Sequence, residues 1–161
     1  MTFPVTLHPM LVHFPIVLLL VTSAAGLAYL YWRPMPELRI ITWWSLLPGW
    51  IAVAVAVITG LFSQGGLPPD APYRPVLNLH TTGGFALILL YGDLLYRRWL
   101  NRPGRDKKRR EDALFYADLL DDPRHKLYLT LLFVIGGLLV IATSFFGGQL
   151  VFDFGVNVIK K

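Results

Sequence analysis

Four long apolar stretches alternate with polar segments along the chain, and each is about as long as a helix that crosses a bilayer. Such a helix takes about 20 mostly apolar residues. The first stretch covers residues 11–32 and carries no charge. The second covers 40–62, where Pro48-Gly49 predicts a bend. The third, 80–98, is the least apolar because it holds Gly83, Gly84 and Asp93. The fourth covers 127–146. The pattern predicts an all-α, four-helix transmembrane bundle in a single domain over residues 1–161, with a short C-terminal extension. The first stretch lacks a basic leader and a small-residue cleavage site, and its apolar run is too long for a signal peptide, so it is expected to persist as a span.

Composition supports this pattern. Hydrophobic residues make up 55% of the chain and charged ones 16%, against about 25% charged in soluble domains. The charges that remain set the orientation. Arg33 and Arg39 follow the first span, and ten more basic residues lie between Arg97 and Lys126, including Lys107-Lys108-Arg109-Arg110. The opposite side has only Arg74, Lys160 and Lys161. Basic loops stay in the cytoplasm, so both termini and the 64–79 loop are expected outside it. Trp32, Trp43, Trp44 and Trp99 fall near the inner boundary, where amphipathic rings anchor. Within the basic loop, Leu114, Phe115, Leu119 and Leu120 suggest a short helix over 111–122 lying on the membrane. The net charge of +5 is read as topology and attraction to anionic lipid. It is not read as nucleic-acid binding, because no folded module presents it.

The absence of cysteine excludes disulfides, iron–sulfur clusters, thiolate zinc sites and covalent haem attachment. Nucleophilic triads, phosphate loops, HExxH and paired acidic sites are also missing, so no catalytic activity of the chain's own is expected. Four short spans with one intramembrane carboxylate give little support to transport. The residues show no internal repeat strong enough to use.

The histidines carry the candidate chemistry. His8, His13 and His80 all map to the outer boundary, and His125 maps to the inner one. Pro9 suits the first helical position, which puts His8 at the cap and His13 just over a turn into the span. Pro15 cannot donate to the Leu11 carbonyl and predicts a bend. Pro75 opens the third span in the same way, with His80 a little over one turn in and Gly83-Gly84 on the next. Those glycines offer a flat surface to a helix or a porphyrin. His13 and His80 thus lie at matching depth on two spans entering from the same side, which is the arrangement a b-type haem needs from two axial imidazoles. Two plainer readings stand beside it: interfacial histidines without a ligand, and a copper or zinc site made by His8, His13 and His80. Asp93 is expected to pair with Arg97, with a proton or quinone-site carboxylate as the alternative. His125 is read as solvated, Gly136-Gly137 as a tight helix contact, and Met10 as facing lipid or core.

The opening LHPMLVHFPI, the His80 entry and the closing GGQLVFDFGVNV resemble the bacterial four-helix membrane family catalogued as domain of unknown function 2231. The resemblance covers nearly the whole chain, and the HPxxVHFP element is fairly specific. Members often stand beside c-type cytochrome modules, which implies a redox setting, and the family's paired histidines correspond to His8, His13 and His80. No established activity comes with it. The expected protein is a haem b electron carrier of the bacterial inner membrane, with His13 and His80 as axial ligands and His8 as an outer partner or alternative ligand. Its partners would be lipid, a c-type cytochrome or quinol, and other subunits of a membrane redox complex. The competing expectation is a cofactor-free accessory subunit of a respiratory or photosynthetic complex. The segment 147–158 is expected as a short strand or re-entrant flap over the histidines, or as a docking tail.

Overall fold

The computed structural model describes residues 8–101 and 118–156. It is all-helical, and no strand occurs among the described residues. Four long helices make up the body: α1 (His13–Tyr31), α2 (Pro36–Gln64), α3 (Arg74–Leu100) and α4 (Lys126–Phe152). One further helical turn precedes α1, so the apolar rod as a whole runs His8–Tyr31. That rod, α2, and α4 with its leading turn (Pro123–Phe152) are each long and apolar enough to cross a membrane. The third helix has the length, at 27 residues, but Asn78, Asp93, Arg97, Arg98 and three glycines dilute its apolar content.

The helix ends follow from local chemistry. Proline occupies the first turn of α2 and of α3, where a missing N–H costs nothing. Glu37 complements the N-terminal dipole of α2, and Arg97 and Arg98 complement the C-terminal dipole of α3. The α2 helix runs on through Pro48. At the end of α4 the chain turns back through Gly155 at φ 63°, a left-handed conformation that suits a residue without Cβ. The Val156 N–H then reaches the Leu150 carbonyl at 2.8 Å. The strand expected over 147–158 is therefore not formed where the chain is described. Gly147 to Phe152 extend α4 instead, because nothing between Phe146 and Gly155 breaks the hydrogen-bond ladder.

The helices close a ring in which α1 packs on α2, α2 on α3, α3 on α4 and α4 on α1. Lipid-soluble side chains gain little from meeting each other inside a bilayer, so close backbone approach has to hold such a bundle together. Small residues provide it. A Cβ on Gly26 would collide with the Phe133 ring, and one on Gly83 would collide with Thr143. One on Gly136 would stand 2.7 Å from the Tyr91 hydroxyl, so Gly136 does mark a tight helix contact. Tyr91, Phe133, Leu19, Leu46 and Leu129 fill the centre and are fully buried. Two buried polar contacts lock the register: Ser23 with the Tyr91 hydroxyl at 2.7 Å and Thr22 with Ser45 at 2.9 Å.

The end of the bundle at the 118–125 turns corrects two expectations. Leu119 and Leu120 do not lie on the membrane; short 3-10 turns at Leu119–Asp121 and Pro123–His125 carry both side chains into the core. The rest of the expected surface helix, 111–117, lies outside the described residues. Trp43 is not an interfacial anchor either. It is buried, and its indole N–H donates to the Asp118 carboxylate at 2.9 Å. Trp32 and Trp44 are exposed as expected. Burial pushes the Asp118 carboxyl up, although the Leu120 N–H and the Trp43 indole pull it back. The Asp122 carboxyl is held down by its hydrogen bonds from Arg124. The Tyr29 hydroxyl and Arg39 both donate to Asp121, tying the turns to α1 and α2. Asp93 pairs with Arg97 at 2.9 Å and also accepts from the Tyr128 hydroxyl, which makes it a bridge between α3 and α4.

Candidate functional site: a facing histidine pair

Two of the three expected histidines come together at one end of the ring. His8 and His80 face each other with ring centroids 6.0 Å apart and ring planes at 82°. Each ring is fixed from behind. His8 Nδ1 lies 2.9 Å from the Ala56 carbonyl on α2, with Thr59 Oγ1 further off at 3.4 Å. His80 Nδ1 lies 2.8 Å from the Thr143 carbonyl on α4. A carbonyl oxygen only accepts, so each Nδ1 bears a proton, and in the neutral ring the lone pair then sits on Nε2. Neither Nε2 has a hydrogen-bond partner among the described residues.

Glycine makes room for both rings. A Cβ on Gly60 would stand 3.0 Å from His8 Cε1, and one on Gly147 would stand 2.9 Å from His80 Cε1. The rings therefore rest against bare helix backbone. Either glycine replaced by a larger residue would force its histidine away from the anchoring carbonyl.

The pair opens on a cavity of about 340 Å³ that descends between the helices to Leu19, Leu87 and Val140. Its walls are mostly aliphatic, and its polar groups gather near the histidines. Gln64 Nε2 donates to Thr81 Oγ1 at 2.9 Å, and Ser63 donates to the Thr59 carbonyl at 2.9 Å. His13 lines the same cavity but is exposed, and its ring makes no hydrogen bond among the described residues. No cluster of three or more His or carboxylate side chains that would hold a metal ion occurs among the described residues, so His8, His13 and His80 do not form a copper or zinc trio there. His125 is half-buried near Asp122, with Nε2 at 3.8 Å, on the far side of the bundle. Met10 is exposed. Val156, brought back by the Gly155 turn, lines the cavity as well, so a turn stands where a flap was expected.

Sequence reading had no access to the carbonyl anchors, since a backbone acceptor leaves no mark in residue type. The glycines did leave one. Gly60 and Gly147 sit near the same end of the second and fourth apolar stretches as His8 and His80 on the first and third.

Such a site in such a bundle defines a membrane protein with an imidazole pair at one end. A family described as "Predicted membrane protein (DUF2231)" matches residues 4–160. The chain belongs to that family. No curated protein and no solved structure matches it.

Proposed function

We propose that this protein is a membrane-bound b-type haem electron carrier whose axial ligands are His8 and His80. One observation carries the reading: two imidazoles from different helices, each anchored through Nδ1 on a backbone carbonyl, with both Nε2 atoms free beside an apolar cavity. An Nδ1–H held by a carbonyl is the usual support of a metal-ligating histidine, because it fixes the tautomer and the ring's aim.

The residues fit the group. Two imidazoles sharing one ion at about 2 Å each, plus the half-width of each ring, give a centroid separation of roughly 6 Å, and the rings stand 6.0 Å apart. The largely aliphatic walls suit an apolar macrocycle. The polar rim of Ser63, Gln64 and Thr81 suits the group's wet edge. When bound, the haem supplies one-electron redox chemistry. The chain's part is to fix the two nitrogens, exclude water with Leu19, Leu87 and Val140, and hold the site near one membrane face.

The reading includes four spans. At 27 residues and about 1.5 Å per residue, α3 is long enough to cross. Its polar groups cluster at the inner end, where Asp93, Arg97 and Tyr128 satisfy one another. With basic loops inside, both termini and the histidine pair lie on the outer side of a bacterial cytoplasmic membrane. A c-type cytochrome or a quinol on that face would be its redox partner.

The test is the absorption spectrum of the purified protein, reduced with dithionite. Sharp b-type bands at about one haem per chain are expected. A folded, colourless protein from haem-replete cells overturns the reading and leaves the accessory subunit in its place.

A further inference from the structure

The two halves of the bundle match position by position. One constant offset between α1 and α3 carries His8 onto His80, Leu18 onto Leu90 and Leu19 onto Tyr91. A second, between α2 and α4, carries Ala56 onto Thr143, Gly60 onto Gly147 and Gly49 onto Gly136. The contacts obey the same two offsets. His8 donates to Ala56 and rests on Gly60; His80 donates to Thr143 and rests on Gly147, one turn further along in each case. A Cβ on Gly49 would meet Leu19 at 2.9 Å and Leu18 at 3.1 Å; one on Gly136 would meet Tyr91 at 2.7 Å and Leu90 at 3.1 Å.

Burial follows suit. Leu46 and Phe133 correspond and are fully buried, as are Thr42 and Leu129, and Val53 and Val140 are both core. Pro36 opens the second helix of the first hairpin, and the corresponding Pro123 opens the turn into α4. Six of these ten pairs are identical residues, but they are scattered among unlike neighbours, so the sequence alone does not show the repeat. Agreement of contacts, burial and register across two hairpins is not a property of small-residue packing in general.

We infer that the chain is an internal duplication of one helical hairpin, and that Gly60 and Gly147 are matched positioning residues that present His8 and His80 as equivalent ligands of one centre. Both hairpins enter from the same side, so the relating axis runs along the bundle, as in parallel transporter repeats. It passes between the two imidazoles. A ligand placed there meets the same donor, anchor and cradle from each half. The two halves differ at the rim, where Thr59 and Ser63 correspond to Phe146 and Leu150.

The inference rests on the haem reading for its ligand, and two measurements separate them. The first needs no haem. The chain has four histidines, so nitrogen NMR of the apo protein labelled at histidine resolves each. Two hydrogen-bonded Nδ1–H tautomers, assigned to His8 and His80, are expected. Gly60→Ala shifts the His8 signal alone, and Gly147→Ala shifts that of His80 alone. Alanine is the better helix former, so both variants keep their helices. Gly66→Ala, with open space around it, moves neither.

The second measurement is haemin titration. Both variants weaken binding by matching factors, about 10–100-fold as for other outer supports of a metal ligand. A wild-type spectrum lacking either Nδ1–H signal overturns the inference even if a variant fails to fold. So does a titration in which only one glycine matters. If wild type shows both tautomers but binds no haemin, the haem reading falls and the paired cradle stands.

Discussion

His8→Ala and His80→Ala each abolish the low-spin haem spectrum, and His13→Ala preserves it. The difference comes from where the three rings stand. His8 and His80 are each held by a carbonyl and face one another, whereas His13 is exposed and unanchored at the same cavity. Removing an outer support of a ligand costs about 10–100-fold in metal affinity, and removing the ligand itself costs more. The measurement is haemin titration of the three variants, followed by the reduced spectrum of each. Loss of the spectrum in His13→Ala with retention in His8→Ala would return the axial role to His13, as sequence depth alone first suggested.

Phe133→Ala destabilises the bundle by about 3–5 kcal/mol. The ring is fully buried on α4 and lies where a Cβ on Gly26 of α1 would be, so its removal empties the contact between those two helices. In lipid the cost comes from lost packing, because the hydrocarbon around the bundle is as apolar as its core. Titration from mild detergent into denaturing detergent reads the change. Phe133 does not line the histidine cavity, so haem bound per folded molecule stays at the wild-type level. A change under about 1 kcal/mol would show that the site collapses without penalty, against the spread seen for buried aromatics.

Much of the fold was legible because a bilayer imposes a simple code. Apolar length marked the helices, and proline marked the starts of the first and third. The Asp93–Arg97 pair and the Gly136 contact followed from spacing. The 118–125 end was misread because Leu119 and Leu120 are equally apolar whether they face lipid or core; the choice was made by Asp118, which meets Trp43 from a distant part of the chain. The C-terminal strand was misread because loose alternation over 147–158 outweighed the lack of any breaker before Gly155.

The site was legible in depth but not in angle. His8, His13 and His80 were rightly placed at one end, and helical spacing separates His8 from His13 around α1. Which of them turns toward His80 depends on how α1 packs against α2, and that is decided by Gly49, Gly60 and the Ala56 carbonyl. No property of His8 itself encodes it.

The measurement closest to the central claim is low-temperature electron paramagnetic resonance of the oxidised, haem-loaded protein. Two imidazoles on one iron give a low-spin signal, and their near-perpendicular planes, at 82°, predict the strongly anisotropic form with one dominant low-field feature. A high-spin signal, or a low-spin signal that survives in the His8→Ala, His80→Ala double variant, would contradict ligation by this pair.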